Sequence, residues 1–510
     1  MSSKELFMGI DAGTTKIRAL IFDDRGTLIS QASDTPKIYH SHVGWAYYDP
    51  KSIWITTARV IKKALSYIDK PERVISVGVA SVGETAIILN KNNKPIYQSI
   101  AWYDKRAKDQ SDRIEKKLGS NNIFKITGLI QEPIFGINKM LWLKEKEREV
   151  YAQSNKWMII ADYINWKLCG EQATDYSLAC RTLALDLSKL QYSDDIIKNI
   201  NIKKNLFPEI RPSASKLGTV NFQASKETGL SQGCVVGIGG HDHMVGGLIT
   251  RSLEIGKIAN SVGSAESIMT GIKKPSQNLA FKKAGLVEGV ISTNKKNYYY
   301  LFGSMFTACA AIDWIKLLVA KDESYEKINN KINKLPIGSN GIIFYPHLRI
   351  GSPPNPIQNT RGAFSGLSTD TDKYNIIRSV YEGISFDAKN ALDVMQKILK
   401  IKTKTIIMTG GGSQNTSLVN IRANIFNANL KTLNIPESVS LGAAFCGATA
   451  KGYFSSMDEA IKNIKYKEEK FYPNKNSSKK YLKIYNKLYL PGLKNILHTN
   501  KLATTNKFYS

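Results

Sequence analysis

Two aspartates stand in glycine-rich surroundings where a carboxylate could do chemistry. Asp11 opens Asp11-Ala12-Gly13-Thr14-Thr15 between two apolar runs, in "GIDAGTTKIRALIFD". Asp242 is the centre of "GGHDH". A hairpin of backbone amides and threonine hydroxyls can cradle an anion without a helix. A carboxylate beside it can hold Mg2+, largely through water. Arg18 follows Thr14 at strand spacing, which predicts one shared face with Lys16. Asp242 is expected near a helix N-terminus, where the dipole favours the ionised carboxylate. Held there, it can take the proton of a hydroxyl that attacks phosphorus. Each has a plainer alternative: a tight turn for Asp11–Thr15 and an N-cap for Asp242.

Three further groups complete the set. "TGGGSQN" offers Gly410–Gly412 for close backbone approach, and Asn415 could read a nucleobase edge; a helix C-cap or tight βα turn is the alternative. In "IAWYDKRAKD", Trp102 could stack on the carbon face of a polyol while Glu84 accepts hydrogen bonds from its hydroxyls. A core Trp102 and a surface Asp104–Arg106 pair are equally open. His241 and His243 invite a metal reading, but residues two apart face away from each other on a helix and no third ligand lies nearby.

The elements that must position these residues read as α/β. Phe7–Ile10 and Ile17–Phe22 are strands around the Asp-Gly turn. "WITTARVIKKALSYI" and "FGINKMLWLKEKE" have helical spacing, and "VISVGVASVGETAIILN" is two strands broken at Ser81–Glu84. "CVVGIGGHDHMVGGLIT" is a strand, a Gly-rich turn and a helix. The layout then recurs: "GKIANSVGSAESIMTG" repeats the hairpin, and "KTIIMTGGGSQNTSLVNIRANIF" parallels the Asp242 unit. This predicts a duplicated core with a boundary near residues 246–254. Units of 1–248, 249–465 and a Lys/Asn-rich extension at 466–510 follow, the last dozen residues being expected to fray.

Composition narrows the function classes. The 510 residues hold 71 Lys+Arg against 43 Asp+Glu, a net charge of +28. The lysines are spread along the chain, with no Arg-rich arm, aromatic–basic alternation or zinc spacing, so a nucleic-acid role is not expected. No stretch approaches the roughly 18 apolar residues that span a bilayer. Five isolated cysteines predict buried thiols in a reducing, cytoplasmic setting. The chain also lacks G-x-x-x-x-G-K-[ST] and a kinase-type Gly-rich loop, and a strand rather than a helix follows the first glycine.

In this order and spacing, from about residue 6 to 455, the pieces resemble the FGGY carbohydrate kinases of the actin/hexokinase-type ATPase superfamily. "AWYDKR" is similar to the W-x-D-x-R segment, and "ADYINWKLCGEQATDYSLACRTLALD" to the D-Y-(x)-L-x-G-x-x-x-T-D-x-S stretch. "GAFSGLSTDTDKYNIIRSVYE" resembles the C-terminal signature, and "GGGSQN" with "SLGAAFCGATAKG" the adenosine segment. The resemblance implies two actin-like (ribonuclease H-like) domains around a nucleotide and substrate cleft. It implies Asp11 for Mg2+, Gly13, Thr14, Thr15 and Arg18 near the γ-phosphate, and Gly263-Ser264 as the second phosphate hairpin. Gly411, Ser413 and Asn415 would lie near adenine. Asp242 inherits the catalytic role, with Glu84, Trp102 and His243 at the substrate.

The departures bear on the acceptor. Glycerol kinases carry Arg-Glu at Gly83-Glu84 and xylulokinases Met-His; losing the Arg removes a donor and argues against glycerol. His243 stands where glycerol kinases have Gln, Ser264 where Thr is usual, Cys309 where Gly often lies near the nucleotide, and Ser352 where the family carries Glu. The resulting expectation is an ATP- and Mg2+-dependent kinase of a small sugar or polyol, such as a xylulose-like ketopentose or a sugar alcohol. No nucleic-acid or membrane partner is expected, and a homodimer is compatible. Its rivals are a glycerol or tetritol kinase and an actin- or chaperone-like ATPase without a small acceptor, which ATPase assays with and without polyols would separate.

Overall fold

The computed structural model describes residues 5–505 apart from 349, 358 and 436. The apolar runs flanking the Asp11 turn fold as β1 (Leu6–Ala12) and β2 (Ile17–Phe22), and β3 (Leu28–Asp34) continues the antiparallel meander. Helix α1 (Pro50–Leu65) starts where the Asp49 carboxylate accepts the Ser52 amide, and its Ile53, Ile61 and Leu65 face the sheet core. Strand β4 (Val74–Ser81) then lies parallel to β1, buried along nearly its whole length, as a strand covered on both faces must be. Helices α2 (Gly136–Lys146) and α3 (Tyr176–Cys180) follow. The sheet closes with β5 (Lys216–Thr219) and β6 (Val235–His241), in the order β5-β6-β4-β1-β2-β3. Strand β6 runs straight into helix α4 (Asp242–Ile249). The expected Gly-rich turn is absent: Gly239 and Gly240 lie inside the strand, at a register shift between Ile238 and Gly240.

The second half repeats this plan. Strands β7 (Ile258–Val262) and β8 (Glu266–Ile272) form its hairpin, flanked by β9 (Val287–Ser292) and β10 (Asn297–Met305). On the other side lie β11 (Thr405–Thr409), β12 (Asn429–Asn434) and β13 (Lys467–Phe471). The order is β9-β10-β8-β7-β11-β12-β13, with β11 parallel to β7 as β4 is to β1. The duplication therefore sits in the strand order, with one correction. "TGGGSQN" follows β11, the counterpart of β4, whereas the counterpart of β6 is β12.

The helices of this half are α5 (Cys309–Val319), α6 (Lys373–Leu399), α7 (Thr416–Phe426) and α8 (Ser438–Lys451). Helix α8 follows β12 as α4 follows β6, and it crosses to the first sheet. Gly9, Gly78 and Gly237 stand in register on β1, β4 and β6. A Cβ on Gly9 would lie 1.7 Å from the Ser440 carbonyl oxygen, and one on Gly78 1.9 Å from that of Ala443. Only hydrogen at these positions lets the helix backbone lie on the strands. Helices α4 and α8 meet backbone to backbone, where a Cβ on Gly442 would be 2.6 Å from the Val245 oxygen. Phe7, Phe22, Leu248, Leu441 and Phe445 form a core shared by the two halves.

Of the expected extension at 466–510, residues 466–505 pack on the second half. Strand β13 pairs with β12, and helices α9 (Lys475–Ile484) and α10 (Leu490–Thr505), with the π-helical turn Tyr485–Tyr489 between them, bury Tyr481, Tyr489 and Leu493 in its core. Helix persists to Thr505 where fraying is expected; 506–510 lie outside the described residues. All five cysteines are free; Cys180, Cys234 and Cys446 are buried, and Cys169 and Cys309 only partly so. Among the described residues, no helix is long and apolar enough to cross a membrane.

Candidate active site

The β1–β2 turn is closed by the Gly13 amide donating to the Lys16 oxygen at 3.0 Å. Thr14 is half-buried, with the Tyr48 hydroxyl donating to its carbonyl at 3.2 Å, and Thr15 is exposed. Arg18 does not pair with Thr14 across a strand face. Its cross-strand neighbour is Asp11, because Thr14 lies in the turn. The Arg18 guanidinium reaches the second half and binds the Glu437 carboxylate, just before α8. Burial first, and then the charge of Asp242, push Asp11 up to about 7, against the pull of Arg18. A carboxylate crowded by another and short of cations suits a hard divalent ion held by one protein ligand plus water. No group of three His, Cys, Asp or Glu able to hold a metal exists among the described residues.

The second hairpin is bolted to the start of α5. The Gly263 carbonyl accepts the Cys309 amide at 3.1 Å, and the Ser264 carbonyl accepts those of Ala308 at 3.0 Å and Ala310 at 3.3 Å. Ser264 itself is exposed. Gly410 and Gly412 pack on Val262 beside this hairpin, with Cβ positions 2.6 Å from its oxygen and Cγ1 respectively. "TGGGSQN" and the hairpin are thus one wall. Gly411 has open space over it, as a cradle for a flat ligand requires. Ser413 donates to the Gly410 oxygen at 2.7 Å. Asn415 is the N-cap of α7, accepting the Leu418 amide at 3.2 Å, while its amide donates to the Tyr381 hydroxyl at 3.1 Å. The plainer βα-turn reading of Asn415 therefore describes its contacts within the chain. Cys309, with burial pushing its thiol up to about 11, stays protonated against Gly412.

The acceptor side gathers around Gly83. His241 is the buried N-cap residue of α4, and burial pushes its imidazole down to about 3, so it is neutral. Asp242 is the first helical residue, not the N-cap; its Oδ1 accepts the His243 amide at 2.6 Å. His241 and His243 do not face apart: their rings stack at 5.6 Å, because His241 still belongs to the strand. His243 is exposed and edges onto Phe302 of the second half at 5.9 Å. Glu84 is 4% exposed. Lys139, fully buried, donates to the carbonyls of Glu84 at 2.8 Å and Ala101 at 2.9 Å, which brings Glu84 and Trp102 together. Trp102 is half-buried, its edge against exposed Tyr103. Asp104 and Arg106 are not surface charges. They form a fully buried bidentate pair, at 2.9 and 2.8 Å, under Trp45.

Sequence reasoning missed three residues here. Arg181 binds Glu84, with Nε 2.5 Å from Oε1; its signal is a lone arginine in the apolar run "SLACRTLAL". Lys139 is likewise alone on the apolar helix "FGINKMLWL", and Glu437 precedes a helix start. The Asp175-x-Ser177 motif explains how they are placed. Asp175 caps α3 and accepts the Ser177 hydroxyl at 2.7 Å, and Ser177 Oγ accepts the His241 amide at 2.9 Å. The carrier of Arg181 is thereby tied to the strand end that carries Asp242.

Models of the N- and C-terminal domains of the FGGY family of carbohydrate kinases match residues 6–248 and 258–451. Xylulose kinase of Lactococcus lactis subsp. lactis (strain IL1403) is 28% identical over 481 residues, spanning 94% of this chain and 94% of that protein. Glycerol kinase 2 of Thermotoga maritima is 28% identical over 496 residues, or 93% of this chain and 95% of the relative. The crystal structure of gluconate kinase from Lactobacillus acidophilus matches with a TM-score of 0.87 at 26% identity, over 100% of both chains. With both halves matched and the duplicated sheet in place, the chain belongs to the FGGY family of carbohydrate kinases.

Proposed function

We propose that this carbohydrate kinase transfers the γ-phosphoryl group of ATP to a hydroxyl of a small sugar or polyol, a xylulose-like ketopentose or a sugar alcohol, with Asp242 as general base. The observation that carries it is the placement of Asp242. It stands at the start of α4, electrostatically coupled to Asp11 and one residue from His241, which packs on Gly83 beside Glu84. One carboxylate thus borders both the phosphate hairpin and the acceptor wall. Its Oδ1 is fixed by an amide, leaving the other oxygen to take the hydroxyl proton as that hydroxyl attacks phosphorus.

Gly13, Thr14 and Thr15, with Gly263 and Ser264 opposite, hold phosphates; Gly411, Ser413 and Asn415 line the adenine. Arg18 offsets the charge of the transferred group. Asp11 would hold Mg2+, which would supply charge neutralisation at the phosphates. Trp102, Glu84 and His243 hold the acceptor. The units 1–248 and 249–465 close to exclude water, which competes as a nucleophile. The free cysteines fit a cytoplasmic setting. Coupled ADP release measured over ketopentoses, ketohexoses, tetritols, pentitols and glycerol tests the reading. Stimulation by at least one of the sugars or sugar alcohols is expected. ADP release indifferent to every acceptor would mark an ATPase of another kind.

A further inference from the structure

Gly83 has no room for a side chain, and the group that fills the space is informative. A Cβ there would meet Arg181 Cγ at 2.4 Å and His241 Cδ2 at 2.6 Å. Arg181 arrives from the end of α3, crosses over Gly83 and sets its guanidinium on Glu84. A guanidinium therefore does stand at this wall, although position 83 carries none. Its base is fixed, because the Arg181 carbonyl accepts the Gly136 amide at 3.2 Å and the Thr182 carbonyl that of Ile137 at 3.0 Å. Its head lies 4.9 Å over the Phe135 ring. Arg181 is a partly open group, 19% exposed at its side chain.

We propose that Arg181 determines acceptor specificity, presenting its remaining guanidinium donors beside the open oxygen of Glu84 to an uncharged sugar or polyol while its charge is committed to Glu84 rather than to an acidic acceptor. This rests on the kinase reading above. Nε and Nη2 are both spent on Glu84 Oε1. Among the described residues, Nη1 and Glu84 Oε2 have no hydrogen-bond partner. Side by side they match a hydroxyl, which both accepts and donates. Charge decides between acceptor classes. Glu84 binds the guanidinium and the buried Glu132 is coupled to both Arg181 and Glu84, while His241 is neutral. A carboxylate-bearing acceptor would enter a site already short of positive charge, and buried like charges repel strongly. The site therefore fits a neutral acceptor, not the gluconate named for the Lactobacillus structure.

The test is acceptor kinetics with D-xylulose, xylitol, ribitol and gluconate on the wild type and on Arg181→Ala, Arg181→Lys, Glu132→Gln and Asp242→Asn, each with an unfolding midpoint. The wild type should use a neutral acceptor with kcat/KM at least about a hundredfold above gluconate. Arg181→Ala should lose roughly a hundredfold in kcat/KM for that acceptor, mostly in KM, with Arg181→Lys recovering part of it. Glu132→Gln should narrow the preference against gluconate. Better use of gluconate than of any neutral acceptor would overturn the proposal. So would folded Arg181 variants with unchanged acceptor KM while Asp242→Asn is inactive. An active Asp242→Asn would instead sink the kinase mechanism itself.

Discussion

Lys139 shows how a side chain distant from the reacting atoms can set their geometry. It is fully buried and spends its donors on two carbonyls, and burial pushes its ammonium down to about 7, with Glu84 and Asp104 opposing. Between that value and the ordinary lysine range the unfolded chain holds a proton that the folded chain has shed. Stability therefore rises with pH across this window and falls as pH drops toward 7. Lys139→Met should flatten that rise relative to wild type, in unfolding midpoints measured from pH 7 to 10, and raise the acceptor KM. Parallel midpoint curves would contradict the assignment. The sequence shows such residues only as anomalies. A lone Lys139 or Arg181 in an apolar run is visible, but its partner is not, because Glu84 lies far away in sequence and the two meet only through the fold. The same holds for Gly83, which reads as a lost arginine until Arg181 is seen across it.

At the scale of elements, the hairpins, α1, α2, β4 and β11 were legible because local periodicity and turn residues encode them. Strand order was not. The sequence pairs "TGGGSQN" with "GGHDH" by local resemblance, whereas hydrogen bonding makes β11 the counterpart of β4. Helix α8 looks ordinary in sequence, yet the glycines that receive it are scattered over β1, β4 and β6. Gly78→Ala should cost about 1–3 kcal/mol or more through overpacking, since its Cβ would sit 1.9 Å from the Ala443 oxygen. Gly233→Ala, which meets nothing within 4 Å, should stay within about 0.5 kcal/mol of wild type. Denaturant unfolding of the pair checks this; equal losses would show that the close strand–helix approach does not matter.

Across the whole molecule, α4 and α8 are equivalent helices that meet between the halves, and Arg18–Glu437 joins the phosphate hairpin to the start of α8. Both partners are about one-third exposed, so the pair contributes little to stability, under about 1 kcal/mol. On the kinase reading proposed above, its role is to aim Arg18. Glu437→Gln should leave the unfolding midpoint nearly unchanged while raising the KM for ATP; a large drop in stability with normal ATP kinetics would reverse that assignment. The claim that joins the halves into one catalyst is that Asp242 is the base. Acceptor-dependent ADP release by Asp242→Asn, at saturating ATP and alongside ATP-binding affinity, tests it most directly. The kcat should fall by about 10²–10⁴-fold with ATP binding retained; near-wild-type turnover would contradict the role of Asp242.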